Sequence, residues 1–462
     1  MASWDRRSPQ RLAAQRDAAV RKQVVDAVAP FSPFWRDRLT ALGRTPASVA
    51  TPTGLACLPA VGERDVCPDG DPAGAAGLVL QAGASGFALP AAGPSLRRPG
   101  ARRLAAPGSY RAVVEADTRP TSYVFAGRAL RFPVASTRSD LDLVARAGAR
   151  LWQVLGLSRA DVVVSALPCE PTALVQALSL AALAAGSPLL APGGGRAAHA
   201  LVLVDATALV VPADAAAQTV QDLDDRGAPM GSVTTVLVAG APSDDERAAL
   251  VEVLGGAGVS ATVLAVHVPD GHRLAWGECR ASAGASGLHT YPDLELVDVV
   301  DPETGQQTAA ADGEVVLTQL GMLGTALLRW RTGDVAEAVT DAVCPACSRT
   351  VPRVVGLRRG ALVPELALRG GAVPVDLRAV ASVLSGRSDV ADWRVVLGRS
   401  GRDGADELLV HLAPPAGADA SAAAVAVARD LRLAVGLLPT QVVVAEVGTL
   451  PIGSGLTRRI LD

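Results

Sequence analysis

The 462-residue chain carries 43 basic and 46 acidic residues, a net charge of −3, and its only lysine is Lys22; every other basic residue is arginine. A Walker-type phosphate loop, a kinase strand lysine, a Schiff-base lysine and a pyridoxal anchor each need an ammonium group at a defined place, so those mechanisms are excluded. Interleaved acids and bases and 3% aromatic residues also exclude a nucleic-acid footprint, which needs a basic stripe and rings to stack bases.

A composition of 49% hydrophobic residues lets the chain bury a large core divided over two or three domains. Met1 to Val20 is arginine-rich with no apolar run, so no secretory signal is expected and the protein is read as cytoplasmic. Arg11 to Val28 reads as a helix, followed by the aromatic knot Phe31-Ser32-Pro33-Phe34-Trp35 and a Pro/Gly-rich stretch to about Arg119. From Asp161 short β-rich runs alternate with helical segments. The strands are predicted at 161–167, 188–191, 208–211, 234–239 and 261–266, and the helices at 172–185, 214–224 and 244–254. Apolar strands alternating with helices mean parallel βαβ units buried on both faces, hence a doubly wound α/β core. The apolar stretch Thr172 to Ala191 is broken by Gln176, Ser179, Gly186 and Pro188, which suits a buried helix and strand rather than a membrane span. Leu294 to Leu320 reads as strands around the turn Asp301-Pro302-Glu303-Thr304-Gly305. Beyond a boundary near Gly356, a hairpin (Trp393–Leu397 and Glu407–Leu412), a helix (Ala420–Val435) and a strand (Gln441–Val447) make a small α+β unit.

Six cysteines are too few for a disulfide framework, so a cluster among them is metal-binding or redox-active. Cys344-Pro345-Ala346-Cys347 has the gap that lets two sulfurs reach one ion, and zinc takes four N/S ligands in a tetrahedron. Cys279 and His289 are candidates for the other two, with His267 and His272 as competitors; a redox dithiol or two ordinary thiols are the alternatives. Arg331-Thr332-Gly333-Asp334 follows the strand-like run Ala326–Trp330, and a carboxylate after a glycine turn can accept both hydroxyls of a ribose, or be a surface turn. Gly83–Gly86, Gly193–Gly195 and Gly453–Gly455 can expose backbone N–H groups to phosphate, but none has dinucleotide-fingerprint spacing. No Gly-x-Ser-x-Gly elbow and no His-Glu-x-x-His is present.

Taken in order, these segments resemble the phenylacetate-CoA ligase branch of the adenylate-forming superfamily over nearly the whole chain. Pro33-Phe34-Trp35-Arg36 is similar to that branch's Pro-Phe-aromatic-Arg segment, and Ser136-Thr137-Arg138-Ser139-Asp140-Leu141-Asp142 to its polar turn opening a helix. Gly193-Gly194-Gly195 resembles its glycine turn, and Asp301–Gly305 with Asp312-Gly313-Glu314 its β-subdomain signature. Arg331-Thr332-Gly333-Asp334 looks like its ribose-binding motif, in which the aspartate holds the nucleotide hydroxyls. Glu278-Cys279, Gly287-Leu288-His289 and Cys344/Cys347 match three segments that surround a zinc ion in that branch. The resemblance implies an adenylate-forming domain over 1–355, with a zinc-bearing β-subdomain at about 275–350, and a mobile α+β domain over 356–462. It also implies structural zinc on Cys279, His289, Cys344 and Cys347, and a nucleotide on Asp334 and Arg358, with Arg359 as the alternative to Arg358.

The family activates a carboxylate with ATP and Mg²⁺ as an acyl-adenylate and passes it to coenzyme A. This chain departs from it at three places. The phosphate loop with its lysine corresponds to Phe125-Ala126-Gly127-Arg128-Ala129-Leu130-Arg131-Phe132. The Mg-binding Tyr-Gly-x-Ser/Thr-Glu motif corresponds to Val266-His267-Val268-Pro269-Asp270, where Asp270 is the one substitute carboxylate. The C-terminal catalytic lysine corresponds to Leu456. Codon drift turns lysine into arginine, so leucine marks lost selection. The expectation is a homologue with degraded catalysis acting as a binding or accessory protein. The alternatives are an active ligase with Arg128, Arg131 or Arg458 in place of the lysines, and a scaffold kept for assembly. The expected partners are a small carboxylic acid and coenzyme A, with a homodimer or a pathway protein left open, and neither nucleic acid nor membrane.

Overall fold

A computed structural model describes residues 4–67, 72–80, 118–127, 132–167, 172–193, 196–282, 287–308, 312–358, 365–368, 371–374, 380, 383–384, 386–399, 406–436, 438–445 and 455–458. The chain forms two compact units: Met1–Ala191 with Ala197–Ala361, and Leu362–Asp462 with Pro192–Arg196.

In the larger unit, Ser8 caps a helix at Pro9–Arg21 that runs on through a π-helical stretch, Lys22–Val28, on which Lys22 is exposed. An antiparallel hairpin follows, β1 (Pro120–Ala126) and β2 (Phe132–Thr137), in the region read from sequence only as a degraded phosphate loop. Thr137 and Asp140 then form a capping box that starts the helix Arg138–Leu155.

The central sheet contains β3 (Val163–Ser165), β4 (Leu189–Leu190), β5 (Ala208–Pro212), β6 (Thr235–Ala239), β7 (Thr262–His267), β8 (Trp276–Glu278) and β9 (Leu288–His289). β10 (Glu295–Val300), β11 (Gly313–Gln319) and β12 (Trp330–Ala336) form a separate three-stranded antiparallel sheet. β13 (Ala338–Thr340) and β14 (Arg353–Val355) return to the central sheet, whose order is β13-β14-β9-β8-β7-β6-β5-β3-β4. The β7-β6-β5-β3-β4 part is parallel, and everything from β8 outward is antiparallel.

The parallel part is wound on both faces because apolar side chains of its strands point to each of them. Val163, Ala208, Val210, Leu237 and Leu264 face one core with the helices Arg138–Leu155 and Ala173–Ala185. Their neighbours Val164, Leu209, Val211, Val236, Val238 and Val263 face a second core with Ala197–Leu203, Ala216–Asp225 and Asp244–Gly256. A third core joins the N-terminal helices, the β1–β2 hairpin and the three-stranded sheet around Trp35 and Trp330. Among the described residues, no helix is long and apolar enough to cross a membrane.

The smaller unit contains β15 (Glu365–Leu368) and β16 (Gly371–Pro374), then β17 (Asp392–Arg399), β18 (Asp406–Ala413), β19 (Gln441–Val444) and β20 (Gly455–Arg458), the last four in the order β19-β18-β17-β20. The helix Ala420–Val435 packs Val427 and Leu431 on this sheet against Trp393, Val395, Leu408 and Val410.

Candidate functional site

The ribose motif is not the turn after a strand that its sequence suggests. Arg331-Thr332-Gly333-Asp334 lies within β12, whose pairing with β11 shifts register between Glu314 and Val316. Gly333 absorbs the irregularity at φ +69°, a conformation that disfavours any side chain. The β-subdomain signature holds the motif in place. The buried Glu314 carboxylate accepts from Arg331 Nε at 2.7 Å and from Gly333 N–H at 3.1 Å, while Arg331 Nη2 donates to Pro302 O at 2.7 Å. Thr332 donates to Val315 O at 2.8 Å and accepts from Asp334 N–H at 3.1 Å. Asp334 is therefore presented by a stiff backbone, and it is buried rather than on the surface.

His267 Nε2 lies 2.7 Å from Asp334 Oδ2, and both side chains are buried. His267 is the last residue of β7, at the carboxyl end of a parallel strand, where open α/β sheets bind ligands. That position was the one signal in the sequence that could have separated it from the zinc candidates. His272, the other competitor, is also spoken for: its Nε2 is 2.5 Å from Glu295 Oε2 in the core.

Two segments that the sequence singled out meet: Asp270 Oδ1 accepts from Gly127 N–H at 2.9 Å. Arg128, Arg131, Arg359, Gly83–Gly86 and Gly453 lie outside the described residues, as do Gly194 and Gly195. Arg358 exchanges backbone hydrogen bonds with Val335, the residue after Asp334, at 2.7 and 2.9 Å, and its exposed guanidinium pairs with Asp312. Leu456 lies in β20 of the smaller unit, in register with Val395 of β17.

The polar turn opening the helix Arg138–Leu155 has a purpose the sequence did not show. Asp140, fully buried, accepts from Thr137 N–H at 2.9 Å, Leu323 N–H at 2.7 Å and Gly324 N–H at 2.8 Å. It also faces Arg273 Nη1 at 3.4 Å. Arg273 is itself buried, donates to Ala135 O at 2.8 Å, Thr325 O at 2.6 Å and Gln319 Oε1, and burial lowers its affinity for the proton.

Cys279, His289, Cys344 and Cys347 come together, with all four donor atoms within 4.8 Å of one another. They gather at the antiparallel end of the central sheet. Cys279 follows β8, His289 ends β9 in register with Gly277 and Arg353, and the two remaining cysteines sit in the loop between β13 and β14. Gly287 lets β9 approach β14, since a Cβ there would meet Val354 O at 2.4 Å. The cysteine loop turns at Ser348, φ +59°, closed by Ser348 N–H to Cys344 O at 2.9 Å.

Zinc fits this donor set. Ligand distances of about 2.3 Å for sulfur and about 2.0–2.1 Å for nitrogen give tetrahedron edges of about 3.8 Å (S–S) and about 3.6 Å (S–N). The corresponding separations are 3.9 Å for Cys279–Cys344 and 3.5 Å for Cys347–His289 Nε2. Burial, followed by Arg349 and Arg353, pushes the His289 pKa down to about 3, so the imidazole is neutral as a ligand must be. Without a metal, burial pushes the Cys347 thiol up to about 11. Glu278, before the first cysteine, is not a ligand: it pairs with Arg247 at 2.9 Å and accepts from Ala265 N–H at 2.7 Å. The segment Trp4-Asp5 closes on the loop, with Asp5 on Arg349 at 2.7 Å, Thr350 N–H on Asp5 O at 2.8 Å and Trp4 packed against the cluster of Val154, Cys279 and Cys344.

No family model matches the sequence, and no curated protein is similar to it in sequence. Solved structures resemble it in fold. 2-Hydroxyisobutyryl-CoA ligase with 2-HIB-AMP and CoA in the thioesterification state aligns over 99% of this chain and 91% of its own, at TM-score 0.61 and 16% identity. The same ligase in the postadenylation state with R3-HIB-AMP gives TM-score 0.62 at 16% identity, over 99% and 91% of the two chains. Its open conformation with 2-HIB-AMP and CoA gives 0.59 at 16% identity, over 99% and 93%. The chain has the fold of the adenylate-forming ligases. The α/β architecture expected from the strand and helix pattern is that fold.

Proposed function

We propose that this chain is a divergent homologue of the phenylacetate-CoA ligase branch that binds a nucleotide at Asp334 and Arg358 but no longer adenylates efficiently, and serves as a binding or accessory protein. In this reading, the ligands are AMP or ATP, a small aryl or acyl carboxylic acid and coenzyme A. Zinc on Cys279, His289, Cys344 and Cys347 is structural, because its ligands staple strands rather than leave an open coordination position. In this reading the domain beyond about Gly356 is the mobile one. The observation that carries the proposal is the placement of Asp334, buried beside His267 at 2.7 Å on a strand that fixes its backbone, together with Asp270, the one substitute carboxylate, which the protein itself uses to accept Gly127 N–H at 2.9 Å. With Leu456 in place of the lysine that would stabilise the charged phosphate, the loss is about a hundredfold to a thousandfold for that group alone.

The test is calorimetric titration with AMP and ATP, run beside pyrophosphate exchange over a panel of aryl and short-chain acids. Binding of AMP with exchange at background is expected. Exchange at the rates of active ligases would overturn the reading in favour of an enzyme that uses Arg128, Arg131 or Arg458.

A further inference from the structure

We propose that the segment Trp4–Arg7 is a strap that locks the metal into the site of Cys279, His289, Cys344 and Cys347, so that exchange of the ion waits on release of the strap. The inference rests on the zinc reading given above and concerns how fast the ion leaves, not which residues hold it. The strap is tied to three elements around the ligands. Trp4 lies on the helix Arg138–Leu155, with the Arg150 guanidinium 4.9 Å from its ring centroid and its Nε1 donating to Gln153 Oε1 at 3.1 Å. Its ring centroid is also 5.7 Å from that of Tyr291, two residues beyond His289. Both supports are themselves fixed: Arg150 by a bidentate pair with Asp293 at 2.7 and 2.9 Å, and the buried Tyr291 by its hydroxyl on Ala275 O at 2.7 Å. The third tie is to the cysteine loop. Asp5 is buried and accepts from Arg349 Nε at 2.7 Å, Thr350 N–H donates to Asp5 O at 2.8 Å, and the Thr350 hydroxyl donates to Arg7 O at 2.7 Å.

The strap acts where the site is open. Of the four donors, three are buried and only Cys347 is partly exposed, so a competing ligand reaches the ion from the side of Cys347. Burial pushes the Cys347 thiol up, and the backbone and side chain of Arg349 are the next groups to act on it, both in the opposite sense, which places Arg349 against this ligand. Asp5 in turn holds Arg349, while Trp4 packs against the cluster of Val154, Cys279 and Cys344. Residues that support a metal ligand in this way change metal binding by about tenfold to a hundredfold when they are replaced. Trp4→Ala removes a cation–π contact and a hydrogen bond, each worth about fivefold, and so frees the strap by about tenfold or more. Asp5→Asn keeps the shape and removes the charge that holds Arg349. Trp4→Phe keeps a ring on Arg150 and Tyr291 and loses only the indole N–H.

The experiment loads the full-length protein and the three variants with zinc, measures the bound metal by elemental analysis, and follows its transfer to the chromogenic chelator 4-(2-pyridylazo)resorcinol under native conditions. Trp4→Ala and Asp5→Asn should each bind one equivalent and release it about tenfold faster or more, and Trp4→Phe should stay within about fivefold of the unsubstituted protein. Asp140→Asn, which weakens the fold away from the strap, separates local release from global unfolding: its release rate should stay within about threefold of the unsubstituted one. Release from both strap variants within about twofold of the unsubstituted rate, at full zinc content, overturns the inference and leaves the zinc site standing. A rate that rises as much in Asp140→Asn as in Trp4→Ala also overturns it, because the ion would then leave through general unfolding. Should one strap variant fail to fold, the other carries the test. If the unsubstituted protein retains less than about a tenth of an equivalent after loading, the zinc reading itself falls, and the inference falls with it.

Discussion

Removing zinc from the cluster of Cys279, His289, Cys344 and Cys347 is expected to destabilise the larger unit in a way that its geometry scales. The four donors come from the end of β8, from β9 and from the β13–β14 loop, with Cys279 and Cys344 65 positions apart in sequence. An ion bound to the folded state alone at a thousand times its dissociation constant contributes about 4 kcal/mol. The apo site does not become a void, because the Cys279 and Cys344 side chains pack with Val154 and Trp4. The loss is therefore the binding free energy, without a cavity added to it. At about 2–4 °C per kcal/mol for a unit of this size, chelation should lower the apparent Tm by about 8–16 °C, and added zinc should restore it. Cys279→Ser and Cys344→Ser should each reproduce the chelated value. Trp4 provides a local reporter, since it packs against the cluster of Val154, Cys279 and Cys344 while Asp5 holds Arg349; its fluorescence should change with the metal. Less than about a tenth of an equivalent of zinc in protein purified without chelator, together with a Tm indifferent to chelation, would refute the reasoning.

Two further outcomes follow from buried and half-buried charge. Asp140→Asn preserves shape but leaves Arg273 without its counter-charge and offers one acceptor oxygen where Thr137, Leu323 and Gly324 N–H groups now donate. It should cost about 3–5 kcal/mol in urea unfolding, and a loss below about 1 kcal/mol would show that Arg273 is satisfied by its carbonyl partners. Asp161 is subject to burial that would raise its pKa, but the Ser158 N–H, the hydroxyls of Thr207 and Ser158, and Arg280 together hold it below the ordinary 3.8. A depressed carboxylate contributes stability that is complete above its unfolded pKa and disappears as pH falls through the folded one. The unfolding midpoint of the native protein should therefore fall away below about pH 4 more steeply than that of Asp161→Asn, and identical acid limbs would contradict the assignment.

Much of this molecule could be read from its sequence. The doubly wound sheet was legible because its strands are mostly apolar and its helices periodic, features that need only neighbours in sequence to recognise. The gathering of Cys279, His289, Cys344 and Cys347 was legible because Cys344 and Cys347 have a metal-binding gap and Cys279 and His289 sit in segments that match a known pattern. The β1–β2 hairpin was not: in Tyr123-Val124-Phe125 the exposed aromatic positions blur the alternation that marks a strand. The strand nature of Arg331–Asp334 was also hidden, because a glycine at positive φ inside a strand looks like a turn in one dimension.

What tertiary structure alone decided is who touches the charged groups. That Asp334 lies on His267, 67 positions away, Asp270 on Gly127, 143 away, and Asp140 on Arg273, 133 away, depends on strand order and register across two sheets. No local pattern encodes such pairings. They arise when burying the apolar faces of β7, β12 and the helix Arg138–Leu155 fixes where the polar residues at the ends of those elements must go.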